Sequence, residues 1–396
     1  MPESAEIQGA QADMARLRRR LARAEKSGLG PMLGSLLYRP RQLRRALTPP
    51  ATDVAAVRRI TGKGRLRQIA EQAGLVLRYR LPPAEYYAGA LFVPGRLRRA
   101  GDWMSQRQID RLMRALLPEE HGRRIEDKAW FAEHCRRHDL PHPRVLGIWS
   151  PAAEARPSFR ESFDASAAGG GVLCKPIDGF GGAGVTLLRS RDGAAWDLAD
   201  EQGGGADLSW DDLRRRMGDG ALRFLCQQRV VNHPDLAAFG ESPLHTVRVM
   251  TLKRDNDFEP MFTVWRIGAR DGLVDNFARG GIGAPIDPAS GRVGRGVTAA
   301  TSSLPHSLAE TAQGVRFEGL VLPLWRDVLD LACRVHRSLP EGPFMCHDIA
   351  ITPEGAMTME INHIWSVKLV QKPLGDGLGA TAFVGHALAA LNEARR

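Results

Sequence analysis

Three oxygen-bearing side chains near the end of the sequence, Asp348, Glu360 and Asn362, have the types and the spacing of a metal site. Two carboxylates and one amide oxygen are ligands that suit a hard divalent cation such as Mg²⁺. Glu360 and Asn362 are two positions apart, so on a β-strand both side chains point to the same face. The alternative is that these residues form only the solvated face of an edge hairpin.

The surrounding residues predict the element that would position these side chains. Two alternating runs, 343–351 and 356–362, flank the turn-forming sequence Thr-Pro-Glu-Gly. We therefore expect a β-hairpin with Asp348 roughly opposite Glu360. Regular alternation would also place Thr358 on the face of Glu360.

A second segment combines a lysine with a run of glycines. Lys175 lies in an apolar run four residues before the first glycine of Gly179-Phe-Gly-Gly-Ala-Gly184, and Val-Thr-Leu-Leu follows. A dinucleotide-binding fingerprint needs a helix after its glycines, whereas the residues here are strand-like. The pattern therefore predicts a flap between two strands, whose backbone N–H groups can contact phosphates while Lys175 reaches an α- or β-phosphate. A glycine-rich surface hairpin without a ligand is the alternative.

Lysine is scarce in this chain, because only seven of its 55 basic residues are lysines. Where arginine is favoured so strongly, a remaining lysine is a candidate for a role that requires a compact ammonium group. Lys175 is one candidate and Lys128 is another. The residues around Lys128 predict an amphipathic helix that ends before Pro141 and leads into a short apolar strand.

Taken in order, these features resemble the ATP-grasp superfamily over roughly residues 125–375. The matching pieces are Lys128 at a helix start, Lys175-Pro with the glycine flap, an apolar strand at 224–231 as the adenine hinge, Arg248 on a strand, the segment Asp275–Gly281, and the Asp…Glu-x-Asn hairpin. The segment His245–Leu252, with the preceding Asn232-His-Pro-Asp-Leu, looks most like the sugar-transfer-associated ATP-grasp proteins.

The resemblance implies that ATP binds with Mg²⁺, for which Mn²⁺ could substitute. The implied nucleotide-binding residues are Lys128, Lys175, Gly181, Gly182, Gly184, Gln228, Arg229, Val230 and Asp235. The two lysines would hold phosphate oxygens, and backbone groups at 228–230 would bind the adenine edge, because an exposed strand end has free N–H and C=O groups. Members of the superfamily often carry a glutamate after the hinge for the ribose hydroxyls; here the nearest acid is Asp235.

The resemblance also implies the catalytic residues. The metal ligands would be Asp348, Glu360 and Asn362, and Arg248 would face the γ-phosphate and an acceptor carboxylate, with which its planar fork can make two charge-assisted bonds. Asn276 and Arg279 are second candidates for that role. In this superfamily the γ-phosphoryl group typically moves to a carboxylate, and an amine then displaces the phosphate.

The expected fold class is α+β: an ATP-grasp fold, in which two subdomains hold ATP, with a mainly helical N-terminal extension. We expect the helical region at residues 1–124 and the catalytic domain at 125–396, divided into a flap subdomain at about 145–230 and a metal-site subdomain at about 231–396. The first 120 residues contain no β-α-β glycine fingerprint. They therefore depart from the small Rossmann-like domain that begins many ATP-grasp enzymes, which leaves the acceptor substrate open.

The formal net charge of +10 is concentrated in the N-terminal third. There is no nucleic-acid motif and only 6% of residues are aromatic, so we expect no nucleic-acid partner. Residues 11–26 predict a basic amphipathic helix that could dock on anionic lipid or on a partner protein. The alternative is a helical extension packed on the catalytic body.

Five cysteines without C-x-x-C spacing, and no recognisable signal peptide, predict a reduced, cytoplasmic protein. A second copy of the chain, in a homodimer, is among the partners considered. His347 and His363 flank the metal positions, but no histidine pair has metal-ligand spacing, so satisfied or surface histidines are expected.

The resulting hypothesis is an ATP- and Mg²⁺-dependent ligase that joins a carboxylate to an amine through an acyl phosphate. Its substrates would be small molecules such as an amino acid, a peptide or an acidic sugar. One alternative is an ATP-grasp kinase that phosphorylates a hydroxyl of a small molecule or sugar. Another is a nucleotide-binding scaffold without turnover.

Overall fold

The computed structural model describes the backbone of the chain except at residues 1, 25–28, 151–156, 178–182, 191–194, 201–203, 218–222, 269–274, 276, 278–279, 299–306 and 395–396. Within the described part, the helices are α1 (Pro2–Ala24), α2 (Leu29–Leu47), α3 (Ala51–Thr61), α4 (Arg65–Tyr79), α5 (Pro83–Ala88), α6 (Pro94–Arg98), α7 (Gln106–Leu116), α8 (Glu119–Glu126), α9 (Lys128–Arg137), α10 (Pro157–Ala168), α11 (Trp210–Met217), α12 (Trp325–Ser338), α13 (Val367–Leu374) and α14 (Phe383–Glu393). Every described element before residue 127 is helical, as the sequence predicts.

The strands form two antiparallel sheets. The N-terminal sheet has the order β1-β6-β2-β3-β4-β5 and the C-terminal sheet the order β10-β9-β8-β7-β11-β12. Their bounds are β1 (Val145–Trp149), β2 (Val172–Pro176), β3 (Thr186–Ser190), β4 (Trp196–Ala199), β5 (Gly205–Leu208), β6 (Phe224–Gln228), β7 (Thr246–Arg254), β8 (Asp257–Ile267), β9 (Ile282–Pro285), β10 (Val297–Thr298), β11 (Phe344–Thr352) and β12 (Gly355–Asn362). The N-terminal sheet is formed from residues 145–228 and the C-terminal sheet from residues 246–362.

The C-terminal sheet is covered over much of both faces, since its strand β11, with six apolar residues out of nine, is buried throughout. One face packs against α12 in a core that contains Trp265, Ile349 and Ile361. The other face packs over part of its length against helices of both ends of the chain, where Met250 and Phe344 meet Leu17 of α1 and Phe383 of α14. The uncovered remainder of this second face carries the polar residues described below.

Helix α1 takes the second of the two arrangements expected for it. Its apolar residues Met14, Leu17 and Leu21 are at most 3% exposed, within the core that also contains α7 and α14. This apolar face is therefore covered by protein. Among the described residues, no helix is both long and apolar enough to cross a bilayer.

Candidate active site

The predicted hairpin is present. Strands β11 and β12 pair antiparallel, and Asp348 stands directly opposite Glu360, while Asn362 stands opposite Cys346. Directly opposed residues of an antiparallel pair project from the same face. The three predicted metal ligands therefore lie on one face of the C-terminal sheet.

A β-bulge interrupts the alternation of β12. Asp348 pairs with Glu360 but Ile349 pairs with Thr358, which leaves Met359 as an extra residue. Thr358 is consequently on the opposite face and fully buried. The expectation that Thr358 shares the face of Glu360 is wrong, because a period of two does not continue through a bulge.

Asp348 is bound by two arginines from the neighbouring strands. Arg248, opposite it on β7, donates from Nε to Oδ1 at 2.8 Å and from Nη2 to Oδ2 at 2.7 Å. Arg266 on β8 donates from Nη1 to Oδ2 at 2.5 Å. Burial of Asp348 acts to raise its pKa, but the two guanidinium groups outweigh burial and hold the pKa well below its usual range. Asp348 is therefore ionised, and its charge is shared between two cations.

Arg266 joins this pair to a second buried acid, Asp275. Its Nη2 donates to Asp275 Oδ1 at 2.7 Å, and the hydroxyl of Thr246 donates to Asp275 Oδ2. Burial raises the pKa of Asp275, while the nearby Arg266 opposes that shift. Arg248, Asp348, Arg266 and Asp275 thus form one continuous charged network across the sheet.

Lys128, Lys175 and Glu360 line one small cavity between the two sheets, of about 10 Å³. Lys128 is the first residue of α9. The side chain of Asp127 caps this helix by accepting hydrogen bonds from the backbone N–H groups of Ala129 and Trp130, both at 2.9 Å. Glu126, the last residue of α8, also lines this cavity. Two cations and two carboxylates, contributed by helices and both sheets, therefore meet in one place.

Burial lowers the pKa of the Lys175 ammonium. Glu360 opposes this effect, and Lys128 adds to it because a second positive charge disfavours protonation. Glu360 itself accepts no hydrogen bond from a residue that the structure describes. Its carboxylate is therefore the site acid whose oxygens are most available, in contrast to Asp348.

The expected adenine hinge follows β6, but its N–H groups are less free than the sequence argument assumed. The N–H of Gln228 donates to the carbonyl of Arg144, and that of Arg229 donates to the carbonyl of Gly171, both within 3.0 Å. These two groups are engaged because β6 is an interior strand, paired with β1 on one side and β2 on the other. The N–H of Val230 remains the candidate donor in this segment.

Asp235, the expected ribose ligand, lies in a 3₁₀ turn after the hinge. Its side chain is 71% exposed and its carboxylate lies 3.6 Å from His233 Nδ1. No described contact connects it to the cavity of Lys175 and Glu360. Its assignment to ribose remains a prediction.

The structure describes the two strands that flank the predicted flap and the end of its loop at Gly184. β2 and β3 pair antiparallel, which gives the predicted succession of strand, loop and strand. Gly184 has φ +70°, and a Cβ there would lie 2.9 Å from Pro176 Cγ, so both its backbone and its contact with the Lys-Pro segment require glycine. Gly181, Gly182, Asn276 and Arg279 lie outside the described residues.

The oxygen atoms of Asp348, Glu360 and Asn362 are of the types that bind divalent cations. Asp348 Oδ1 accepts a single hydrogen bond and so retains a lone pair, Glu360 is available, and Asn362 supplies an amide oxygen from the same face. Mg²⁺ usually takes one or two carboxylates and completes its shell with water and substrate phosphates. Within the described ranges, no group of three or more His, Cys, Asp or Glu is arranged to hold a metal by itself.

Sequence reasoning missed three residues of this region: Arg266, His142 and Gln227. His142 and Gln227 line the cavity, and burial lowers the pKa of His142 to about 4. Since His142 Nδ1 lies 2.9 Å from the carbonyl of Pro143, that nitrogen donates, and Nε2 is left to accept from Gln227 at 3.4 Å. Nothing in the local sequence marks these residues, because strand pairing alone brings them to the site.

Both flanking histidines are buried, but the expectation that they are satisfied holds only in part, because Nδ1 of each ring has no well-aligned hydrogen-bond partner among the described residues. His347 is fully buried, and its Nε2 lies 2.8 Å from the hydroxyl of Thr251, which also contacts His336 at 2.7 Å. His363 Nδ1 lies 2.8 Å from Glu126 Oε1. His347 projects from the face opposite Asp348, since the two are adjacent on β11.

The chain belongs to the sugar-transfer associated ATP-grasp family, whose model matches residues 107–383. The expected superfamily and fold class are thereby confirmed: the protein has an ATP-grasp fold, with a helical region before it. No curated protein matches the chain.

Solved structures with a similar fold include several ligases and synthases. D-Alanine--D-alanine ligase from Bacillus anthracis is 12% identical with a TM-score of 0.38, and the match covers 68% of this chain and 67% of that one. N5-carboxyaminoimidazole synthase from Aspergillus clavatus is 10% identical with a TM-score of 0.34, covering 66% and 51%. L-Amino acid ligase from Bacillus licheniformis is 8% identical with a TM-score of 0.36, covering 73% and 54%. The chain thus spans about half the length of the second and third of these proteins.

Proposed function

We propose that this protein is an ATP- and Mg²⁺-dependent ligase that joins a carboxylate to an amine through an acyl phosphate. The observation that supports this most is the cavity between the two sheets, lined by Lys128, Lys175 and Glu360. Asp348 lies beside Glu360 on the same face. The two lysines can bind the phosphates of a nucleotide, and the two carboxylates can bind a divalent metal ion held by those phosphates.

In the proposed complex, Lys128 and Lys175 bind non-bridging phosphate oxygens beneath the flap that Gly184 closes. Glu360, with Asp348 and Asn362, would hold Mg²⁺. The bound ion would neutralise negative charge on the transferred phosphoryl group. Glu360 would be the principal ligand, because Asp348 is already shared between Arg248 and Arg266. Buried positive charge on Lys175 is costly without a ligand, so phosphate binding relieves it.

The proposed reaction has two steps. A carboxylate oxygen of the acceptor attacks the γ-phosphorus, the bond from that phosphorus to the β-phosphate oxygen breaks, and ADP leaves. An amine then attacks the acyl carbon, the carbon–oxygen bond to phosphate breaks, and the amine gives up a proton. Catalysis of both steps depends on positioning and electrostatic stabilisation.

Arg248 is proposed to orient the acceptor through one guanidinium nitrogen rather than to bind it in a bidentate manner. Its Nε and Nη2 are occupied by Asp348, which leaves Nη1 for a substrate oxygen. Asn276 and Arg279 are proposed as additional acceptor ligands, since they follow Asp275, which Arg266 ties to the same network. An amino acid, a peptide or an acidic sugar would present the carboxylate that this arrangement suits.

A phosphate-release assay tests this function. The protein is incubated with ATP, Mg²⁺ and pairs of candidate carboxylates and amines, and with hydroxylamine in place of the amine to trap an acyl phosphate as a hydroxamate. The ligase predicts hydroxamate formation and phosphate release that need the carboxylate and are lost in Glu360→Gln. A stable phosphorylated product that resists hydroxylamine would instead indicate a kinase, and ATP binding without ADP formation in any mixture would indicate a scaffold.

A further inference from the structure

The N-terminal helical region contains a second crevice with a strongly basic lining. It lies between α1, α2, α4 and α6 and has a volume of about 510 Å³. Six arginines line it: Arg18, Arg19, Arg39, Arg78, Arg80 and Arg98. None of these residues belongs to the cavity of Lys175 and Glu360.

The positive charge of this crevice is not balanced by nearby acids. Residues 1–124 contain 25 basic and 11 acidic side chains, whereas residues 125–396 contain 30 and 34. Among the residues that the structure describes, Arg19, Arg78 and Arg98 form no ion pair. Asp102 is the carboxylate that acts on Arg18, and it also contacts Arg99 at 3.5 Å.

Arg18 is the most enclosed of the six guanidinium groups. Its Nη2 donates to the carbonyl of Trp103 at 2.6 Å and its guanidinium lies 5.1 Å from the ring centre of Tyr79. Its Nε is buried and has no hydrogen-bond partner. Burial accordingly lowers the pKa of Arg18 to about 10. A buried donor that lacks an acceptor costs free energy unless a ligand supplies one.

The negative end of a neighbouring helix dipole compensates only part of the positive charge in the crevice. Arg39 donates to the carbonyl of Leu77 in the last turn of α4, and Arg80 is its C-cap, so both complement the negative end of that helix. A helix C-terminus is equivalent to about half a negative charge, which is far less than six guanidinium groups carry. The excess of positive charge suits a ligand with more than one negative charge.

We propose that this crevice binds a phosphate-bearing anion, either a phosphomonoester or a diphosphate. Guanidinium forks match phosphate oxygens in geometry, and several arginines around one pocket suit a group that presents many acceptor oxygens. Tyr79 is the one aromatic residue in the lining, which gives no series of rings for stacking nucleic-acid bases. The anion could come from a soluble metabolite or from a lipid headgroup at a membrane surface.

Binding of inorganic pyrophosphate to the full-length protein, measured by calorimetry at low ionic strength with a chelator, tests the proposal. The triple variant Arg19→Gln/Arg78→Gln/Arg98→Gln removes exposed crevice charges that have no described partner. The control Arg58→Gln/Arg59→Gln/Arg65→Gln removes the same charge from exposed positions on α3 and α4, which line a separate surface pocket and so also test whether any arginine-lined pocket binds the anion. Lys175→Ala serves as the control for binding at the ATP cavity.

The crevice variant is expected to weaken pyrophosphate binding at least about tenfold, because charge-assisted hydrogen bonds are lost. The outer-arginine control and Lys175→Ala should retain affinity within about twofold. The proposal is overturned if wild-type protein binds no pyrophosphate and no phosphatidic acid, if both triple variants lose affinity equally, or if only Lys175→Ala loses it.

Vesicle sedimentation distinguishes the two sources of the anion. Wild-type protein and both triple variants are mixed with phosphatidylcholine vesicles that contain or lack phosphatidic acid, whose headgroup is a phosphomonoester. Binding that needs phosphatidic acid and is lost only in the crevice variant supports a membrane headgroup. Pyrophosphate binding without vesicle binding supports a soluble ligand.

Discussion

At the scale of single residues, the two carboxylates of the hairpin have different surroundings and therefore different duties. Asp348 is 5% exposed and holds two arginines, whereas Glu360 accepts no hydrogen bond from a described residue and faces the cavity. Breaking a buried charged network leaves charges without compensation, which is among the most destabilising changes that a single substitution can make. Asp348 therefore contributes to folding as well as to the proposed metal site.

Matched substitutions separate these duties. Asp348→Asn should lower the free energy of unfolding by about 3–5 kcal/mol, because Arg248 and Arg266 lose their counter-charge. Glu360→Gln, the same chemical change on the adjacent strand, should alter it by less than about 1 kcal/mol. Urea denaturation followed by tryptophan fluorescence measures both values. Equal losses would show that the two carboxylates are energetically alike.

The low pKa of Asp348 also predicts that the free energy of unfolding decreases as the pH falls. A carboxyl whose pKa is lower in the folded than in the unfolded state stabilises the protein above its unfolded pKa, near 4. That stability is lost as the pH falls from there toward the lower folded value. In Asp348→Asn this part of the acid-induced loss of stability should be absent.

Lys175 gives a prediction for the alkaline range. Because burial lowers its pKa, the ammonium that binds phosphate is lost at a lower pH than from an ordinary lysine, whose pKa is near 10.5. ATP affinity should therefore be full below the lowered pKa and fall as the pH rises through it. Calorimetry across this range should show that fall in wild type and a flat profile in Lys175→Arg, which keeps its charge. Identical profiles would assign the titration to another group.

At the scale of elements, the flap depends on one glycine whose environment can be tested. Gly184→Ala combines a positive φ with a Cβ that would contact Pro176, the residue after Lys175. Gly314 has a similar φ of +80°, but a Cβ there meets nothing within 4 Å, so Gly314→Ala is the control for backbone strain alone. Each substitution should cost about 1 kcal/mol in stability, and only Gly184→Ala should weaken ATP binding, by roughly fivefold or more. Equal ATP affinities would remove the flap from the binding site.

The elements near the site could be predicted where their signals are local. The helix start at Lys128, the hairpin of β11 and β12, and the strand that carries Arg248 follow from caps, alternation and turn residues. The bulge at Met359 and the role of Arg266 could not be predicted, since both depend on pairing between strands distant in sequence. The engaged N–H groups of Gln228 and Arg229 have the same origin, because a strand's position inside a sheet is not a property of its own residues.

At the scale of the whole molecule, the helical N-terminal region is part of the body that carries the site. Leu17 of α1 shares a core with β7, β11 and α14, and Gln371 of α13 bonds both the N–H and the carbonyl of Met104, at 2.9 and 3.0 Å. From the sequence, a helical extension packed on the catalytic body is one of two expectations, but the surface that covers α1 could not be predicted, because nothing local indicates it. These contacts predict that both regions unfold together.

Substitution of a core leucine of α1 tests that prediction. Leu17→Ala should lower the free energy of unfolding of the entire protein by about 2–5 kcal/mol, because it leaves a cavity in a shared core. Leu66→Ala, at a site that is 83% exposed, should change it by less than about 0.5 kcal/mol. Circular dichroism and tryptophan fluorescence should report one coincident transition. Separate transitions, with only the first shifted by Leu17→Ala, would indicate an independent N-terminal unit.

The central claim is that one nucleotide binds between the two sheets, held by Lys175 from one and by a metal ion on Glu360 from the other. ATP calorimetry on wild type, Lys175→Ala and Glu360→Ala tests it most directly, with Lys253→Ala and Glu354→Ala as controls outside the cavity. With Mg²⁺, each site variant should bind at least about tenfold more weakly and the controls unchanged; without Mg²⁺, Glu360→Ala should bind ATP no worse than wild type. Unchanged affinity in both site variants, with Mg²⁺ present, would contradict the account.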